Sequence, residues 1–560
     1  IKPPTMASAS MRLLLSRSIR RSQILKQCSR ASSIFSHGNG LYGGLGQGHY
    51  EVVNTPTEIK TLDDKHVKSV ASGWAHSAAL TTDGEVFVWG QPYELLKVQR
   101  VYRQQVRYGF NWAKKWNDFV SSFSKHGGPS GYIHPVQMQG LPSYEKVIQI
   151  ECGVGLTAIL CESGSLYMFG MNDFGQCGVG TNIERTNIKE RTIYNPSRPT
   201  GLLNPLPLDF NVDEYNNEYV YNDKYRKGTT NGEEHADHML KELLRNTLPW
   251  KGQEVIDVSL GYSHGAVITS GGGILTWGKG LRGQLGNGKT NDMSSPSRCL
   301  LEQDIDSSTL FNPEKERERG FTKPTSSSSS PIPISISCGA THTACLTQNG
   351  EVYVWGKFQS SDIKEDEYEG PIREMMKQNR EGKPIYHDQL RPRKAILPHN
   401  EKAIQIACSA YHTAILLESG KVYVMGVKIG SGEIISQPIP FTVRVEKNNE
   451  LGVGWDASFS EDIEISDLIK ESGEDLGSTV TVSSIKGGSS ANCTAIITSQ
   501  GEVFTVFFCD DEKDVLENMD LEDSTLCTIP EPWQPPNHEQ GQKVVDVAIG
   551  WQHTLIATTK

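Results

Sequence analysis

Short apolar runs alternate with tight polar turns along most of the chain, and helical periodicity is rare. In GATHTACLTQNGEVYVWG, residues 339–356, the run Ala-Cys-Leu precedes Asn-Gly, after which Val352 and Val354 alternate with Glu351 and Tyr353. An apolar run, an Asn-Gly or Asp-Gly pair and an alternating segment predict strand, tight turn, strand. The runs VKSVAS, VIDVSL, AIQIAC and VVDVAI, each just upstream of such a unit, predict a further strand.

The unit repeats. Related segments stand at 73–90, 153–170, 261–278 and 409–426, with weaker copies at 490–507 and 550–560, making seven. A glycine follows the histidine-like position by eight residues, as from His76 to Gly84, His342 to Gly350, His412 to Gly420, Cys493 to Gly501 and Leu156 to Gly164. The copies begin 80, 108, 78, 70, 81 and 60 residues apart. All-β units of this size cannot bury a core alone, so the pattern predicts an all-β protein, a seven-bladed β-propeller with helical or irregular insertions between blades. The last copy stops at Lys560 short of its hairpin, while GNGLYGGLGQG at 38–48 is a glycine-rich turn without upstream strands. The two ends are therefore expected to complete one blade together.

In these residues the chain resembles the regulator of chromosome condensation repeat proteins, which fold as seven-bladed propellers. The resemblance rests on G-x-x-H-[ST], on a hairpin ending in [WFM]-G, and on the glycine-rich turn after it, here GMNDFGQCGVG at 170–180 and GKGLRGQLGNG at 278–288. The copies at 339 and 409 lack a clean glycine-rich turn, and the copy at 490 has Cys493 in place of histidine.

Repetition also disposes of several apparent active sites. GQLGNGKT at 283–290 fits the phosphate-loop pattern, and GKGLRG at 278–283 and GNGLYG at 38–43 fit G-x-G-x-x-G. Phosphate loops need a following helix whose N–H groups face the anion. Here NDMSSPSRC follows, with a proline and no helical period. GYSHG at 261–265 mimics a nucleophile elbow, yet a strand-like AVITS follows where that elbow needs a helix. His76, His264, His342, His412 and His553 recur, so none is a unique base; they are expected to hold the blades. EEHADH at 233–238 has no second ligand group at a telling spacing. No catalytic residue, cofactor or metal is expected.

Composition refines this picture. Hydrophobic residues make up 37% of 560 and charged residues 22%, enough for a large core that a ring need not divide into domains. Eleven cysteines without a C-x-x-C pair, three of them (Cys152, Cys338, Cys408) at one repeat position, read as small buried residues in a reducing compartment. Residues 1–50 contain no Asp or Glu, whereas Lys2, Arg12, Arg17, Arg20, Arg21, Lys26 and Arg30 are basic, and Met11, Leu14, Leu15, Ile19 and Leu25 share one face of a helix. An amphipathic, Arg-rich, Ser-rich, acid-free leader predicts a mitochondrial presequence over 1–36 and a matrix or inner-membrane-face location. The alternative is a basic tail for nucleic acid. Without the leader the net charge would pass from −11 to −18, which argues against coating nucleic acid.

The ring is expected over 37–560, with insertions at 91–131, 181–250, 301–331, 357–394, 445–478 and 510–540. In the first, Trp112, Trp116, Phe119, Val120 and Phe123 follow a helical spacing beside Arg103, Arg107, Lys114 and Lys115. Such a helix suits a partner groove or an anionic membrane surface, or it caps the propeller. Asp173, in a glycine-rich turn, is a further candidate face contact, though a turn role suits it better. Two functions follow as expectations. One is a non-catalytic mitochondrial scaffold or assembly factor whose partners are respiratory-complex subunits or ribosomal subunits and their RNA. The other, which the resemblance implies, is guanine-nucleotide exchange on a small or dynamin-like GTPase.

Overall fold

The computed structural model describes residues 31–40, 42–63, 65–90, 132–138, 141, 145–170, 174–178, 206–207, 254–301, 331–357, 388–429, 433–446, 460–465, 481–509 and 532–559. Seven antiparallel sheets account for nearly all of them. From the first strand inward to the last outward, blade one comprises Val67–Ser72, His76–Thr81, Val86–Gly90 and Tyr132–Gln137. Blade two comprises Val147–Cys152, Leu156–Cys161, Leu166–Gly170 and the two-residue Leu206–Pro207; blade three comprises Val255–Leu260, His264–Thr269, Ile274–Gly278 and Met293–Cys299. Blade four uses Pro333–Cys338, His342–Thr347, Val352–Lys357 and Asp388–Lys394, and blade five Ala403–Cys408, His412–Leu417, Val422–Val427 and Ile434–Pro440. A hairpin of Thr442–Glu446 and Ser460–Glu464 follows blade five. Blade six has three strands, Val482–Lys486, Cys493–Thr498 and Val503–Phe507.

The ends of the chain meet in blade seven. Val544–Ile549 and His553–Thr559 supply its inner strands, and Ala31–Gly38 and Val53–Glu58 its outer ones, with Phe35 opposite Ile556. This closure was expected, but its extent differs. Ala31–Gly38 begins before the boundary drawn at residue 36, because its serines hide a strand in which Ile34 and Phe35 are both buried. Likewise Asp388–Lys394, Ser460–Glu464 and the last two residues of Thr442–Glu446 fall inside stretches drawn as insertions.

Each innermost strand touches the next in the order one to seven and back to one, so the ring closes. Seven apolar clusters lie between the blades, one at each joint. The core is therefore not a single body but seven seams. This explains a departure from simple alternation: Tyr353 is 2% exposed, although it alternates with Val352 and Val354. Val352 and Val354 fill the joint toward blade five, while Tyr353 fills the one toward blade three. A strand with both faces buried reads as continuous apolar sequence.

The outermost strands of the six four-stranded blades carry Pro56, Pro135, Pro207, Pro296, Pro392 and Pro438. Proline lacks the N–H that an exposed edge would offer to another chain, so each blade ends on an edge that resists further pairing.

Candidate functional site

Each repeat histidine leaves its own blade and reaches the next. His76 Nε2 shares a hydrogen bond with Thr157 Oγ1 (3.0 Å), His264 with Thr343 (2.9 Å), His342 with Thr413 (3.1 Å) and His412 with Thr494 (2.7 Å). His553 reaches Ser77 Oγ (2.8 Å) and Ser72 Oγ (2.7 Å), linking blade seven to blade one. Thr343 donates its one proton to Gln284 O (2.9 Å), so His264 must donate through Nε2, and Ser77, which donates to Gly44 O (2.8 Å), fixes His553 likewise. Burial drives these imidazoles neutral: His76 and His342 fall to about 4, and His264, His412 and His553 to about 3, with neighbouring histidines lowering the last three further. The glycine of G-x-x-H is explained by close approach. A Cβ on Gly339 would stand 2.2 Å from the His342 ring and 2.6 Å from Ser409 O of the next blade.

A second ligature uses tryptophan. Trp89 Nε1 donates to Gly44 O (2.7 Å), Trp277 to Gln176 O (2.7 Å) and Trp355 to Gln284 O (2.9 Å), in each case the glycine-rich turn of the preceding blade. Gly286, at φ +63°, lies where any Cβ would meet the Trp355 indole at 2.7 Å. GQLGNGKT is thus a turn clasped by the next blade, followed by the strand Met293–Cys299 rather than a helix. Its backbone faces a tryptophan, not a phosphate. GYSHG is likewise the lead-in to the strand His264–Thr269.

The inner strands line the axis of the ring, where polar side chains at one repeat position cap the next strand. Asp257 accepts from Ile336 N (3.0 Å), Asp546 from Val70 N (3.1 Å) and Gln405 from Ile485 N (3.1 Å). Gln149 Nε2 lies between Glu151 Oε1 (3.2 Å), Asp257 Oδ1 (3.2 Å) and Val258 O (3.0 Å). Burial raises Glu151 to about 7, Asp257 and Asp546 add repulsion, and the Gln149 bond and Lys486 oppose the rise. These axial residues were missed from sequence, although the polar third position in VIQI, VIDV, AIQI and VVDV carried the signal. The thiols of Cys152, Cys338 and Cys408 are buried, free of disulfides and pushed up by burial, which leaves them protonated and inert.

Because successive strands of a blade run in opposite directions, the link after its first strand and the link after its third emerge at the same end. Trp74 stacks on Trp551 (4.9 Å, 27°) and lies 5.9 Å from Tyr42 at this end, where Tyr262 is 48% exposed. Gly90 pairs with Tyr132 here, so the chain that departs toward 91–131 leaves and returns at this face. Trp112, Trp116, Phe119, Arg103, Arg107, Lys114, Lys115 and Asp173 themselves lie outside the described residues, as does EEHADH. Among the described residues no group of three or more His, Cys, Asp or Glu is placed to hold a metal, and no helix is long and apolar enough to cross a membrane.

The regulator of chromosome condensation (RCC1) repeat matches residues 32–80 and 271–346 in one form, and 67–94, 147–176, 255–284, 334–361 and 403–427 in a second. The chain is 23% identical over 414 residues to the ultraviolet-B receptor UVR8 of Arabidopsis thaliana, covering 73% of this chain and 76% of that one. It is 24% identical over 341 residues to the secretion-regulating guanine nucleotide exchange factor of Mus musculus, covering 60% of this chain and 51% of that one. The crystal structure of human WBSCR16 superposes with a TM-score of 0.52 at 17% identity, over 94% of this chain and 99% of that one, which is a likeness of fold. With the repeat present in blades one to five and the seven joints closed in register, the chain belongs to the regulator of chromosome condensation (RCC1) repeat family.

Proposed function

We propose that the protein is a non-catalytic mitochondrial interaction scaffold, an assembly factor that binds subunits of a respiratory complex or of the ribosome through its propeller loops. One observation carries this reading. The residues that mimic catalytic or phosphate-binding motifs are occupied in joining blade to blade, while Gly90, Gly170, Lys357 and Cys509 all lead into added chain at the end of the ring that carries Trp74, Trp551 and Tyr262. A rigid ring with variable loops at one end is suited to recognition. The mitochondrial part rests on the acid-free basic leader alone.

A second reading, guanine-nucleotide exchange on a small or dynamin-like GTPase, is favoured by the similarity to the mouse secretion-regulating exchange factor. Exchange needs no reacting side chain, only a face that binds the nucleotide-free GTPase better than the loaded one. The deciding experiment is affinity enrichment of the tagged full chain from detergent-solubilised mitochondria, with and without nuclease and with and without added nucleotide. Respiratory or ribosomal subunits retained whatever the nucleotide support the scaffold. A GTPase retained chiefly in nucleotide-free extract supports exchange. Exclusion of the tagged protein from mitochondria would overturn the location.

A further inference from the structure

We propose that the axial mouth at the end of the ring away from Trp74 and Trp551 takes a lysine side chain presented by a partner protein, its ammonium held between Glu151 and Asp257. Each inner strand starts at this mouth and runs toward the Trp74 end, so its successive residues can be compared around the ring. The second residue of four consecutive inner strands, in blades two to five, is Ile148, Ile256, Ile334 and Ile404. Three of these are half-buried and Ile404 is 52% exposed. More than half of the mouth is thus apolar where it meets water, and a contiguous apolar rim of this kind marks a contact surface.

Behind this rim the wall turns acidic. Asp257 stands one residue past Ile256, about 3 Å further in, and Glu151 three residues past Ile148, about 10 Å further in. Gln149 Nε2 lies 3.2 Å from both Glu151 Oε1 and Asp257 Oδ1, so the two carboxyls flank one amide. The far side of the ring shows which chemistry this position takes. Lys486 of blade six holds the strand position that Glu151 holds in blade two, and Asp546 of blade seven the position that Asp257 holds in blade three. Both aspartates accept a backbone N–H of the following blade on Oδ2, from Val70 and from Ile336. On Oδ1, Asp546 receives the Lys486 ammonium at 2.7 Å, where Asp257 has the neutral Gln149 amide. Burial, with repulsion from Asp257 added, raises Glu151 to about 7, and an ammonium beside it would relieve both effects. Lysine suits the two layers together, because its aliphatic stem lies along apolar surface while its charge sits at a polar end. Among the described residues no third carboxyl, histidine or cysteine joins the pair to hold a metal instead.

The test is methyl NMR of the full chain, labelled at the isoleucine δ1 methyls, titrated at pH 8 with Nα-acetyl-lysine methylamide. The signals of Ile148 and Ile256 should move saturably, while that of Ile396, 71% exposed beyond the outermost strand of blade four, stays still. The same compound acetylated on Nε keeps the stem and loses the charge, and should bind at least about tenfold more weakly. Glu151→Gln should weaken binding of the unmodified compound about fivefold or more. Still signals at Ile148 and Ile256, or equal binding of the two compounds, overturn the proposal. So does binding of n-butylammonium without binding of the capped lysine, which would assign the mouth to a free amine. If Glu151→Gln fails to fold, the compounds on the wild-type chain decide alone.

Discussion

Between blades three and four, His264 reaches Thr343, Trp355 reaches Gln284, Asp257 caps Ile336 and Ser259 receives Cys338 N at 3.0 Å. Between blades six and seven, Cys493 stands at the histidine place and His37, of blade seven, at the tryptophan place, and the Lys486–Asp546 pair (2.7 Å) crosses near the axis. Both joints bury an apolar cluster. Apolar packing brings blades together without fixing their register or angle, since it is non-directional. The directional bonds do that. Their absence is paired across joints: where Leu156 replaces histidine in blade two, Gly265 replaces the hydroxyl residue in blade three, and the Trp277 indole lies where its side chain would be.

Acid should break this comparison most broadly. A ring whose folded pKa is depressed stays neutral while the unfolded chain takes up a proton below about 6.5, so stability present above that pH is lost as pH falls toward 4 and 3. His264, His342, His412 and His553 are at most 1% exposed, and at pH 5 each should cost on the order of 1–2 kcal/mol, several in all. Thermal unfolding between pH 7.5 and 5 should show a steep fall. A flat profile would mean that the rings are accessible to protons in the folded state.

Trp355→Ala removes a side chain that is 0% exposed, together with its bond to Gln284. A loss of about 3–5 kcal/mol in urea unfolding is expected, with Val506→Ala costing well under that. Equal losses would show that the indole and its bond add nothing beyond ordinary burial at that place of the repeat. His264→Ala should follow at about 1–3 kcal/mol, because Thr343 remains buried beside the gap, whereas Cys493→Ala should cost about 1 kcal/mol or less.

Glu151→Gln sharpens the picture with the opposite sign. Its carboxyl, raised to about 7, holds a proton in the folded state where the unfolded chain has already released it, so its contribution is present at low pH and lost as pH rises through 7. The substitution should raise stability at pH 8 by on the order of 1 kcal/mol and leave it unchanged at pH 4. Comparable effects at both values would show that the axial carboxyl is solvated.

Much of this architecture was legible because a propeller writes itself locally and repeats. The Asn-Gly and Asp-Gly turns, the strand runs and the spacing from His76 to Gly84 are properties of adjacent residues, and seven copies made them unmistakable. Ala31–Gly38 was missed because its partner is His553–Thr559, at the far end of the chain, so its pattern has no neighbour to frame it. The axial set of Gln149, Glu151, Asp257, Lys486 and Asp546 was missed for the same kind of reason: residues from blades two, three, six and seven meet only once the ring has closed.

The sequence by itself determined the unit, the number of blades and the fact that the phosphate-loop and nucleophile-elbow patterns belong to repeats, since all of these follow from short-range periodicity. Only the tertiary structure decided what the repeated side chains do. A histidine's partner lies 71 to 82 residues further on and the closing one 476 residues back, so the bond from His342 to Thr413, or from His553 to Ser77, exists only when one blade is laid against the next.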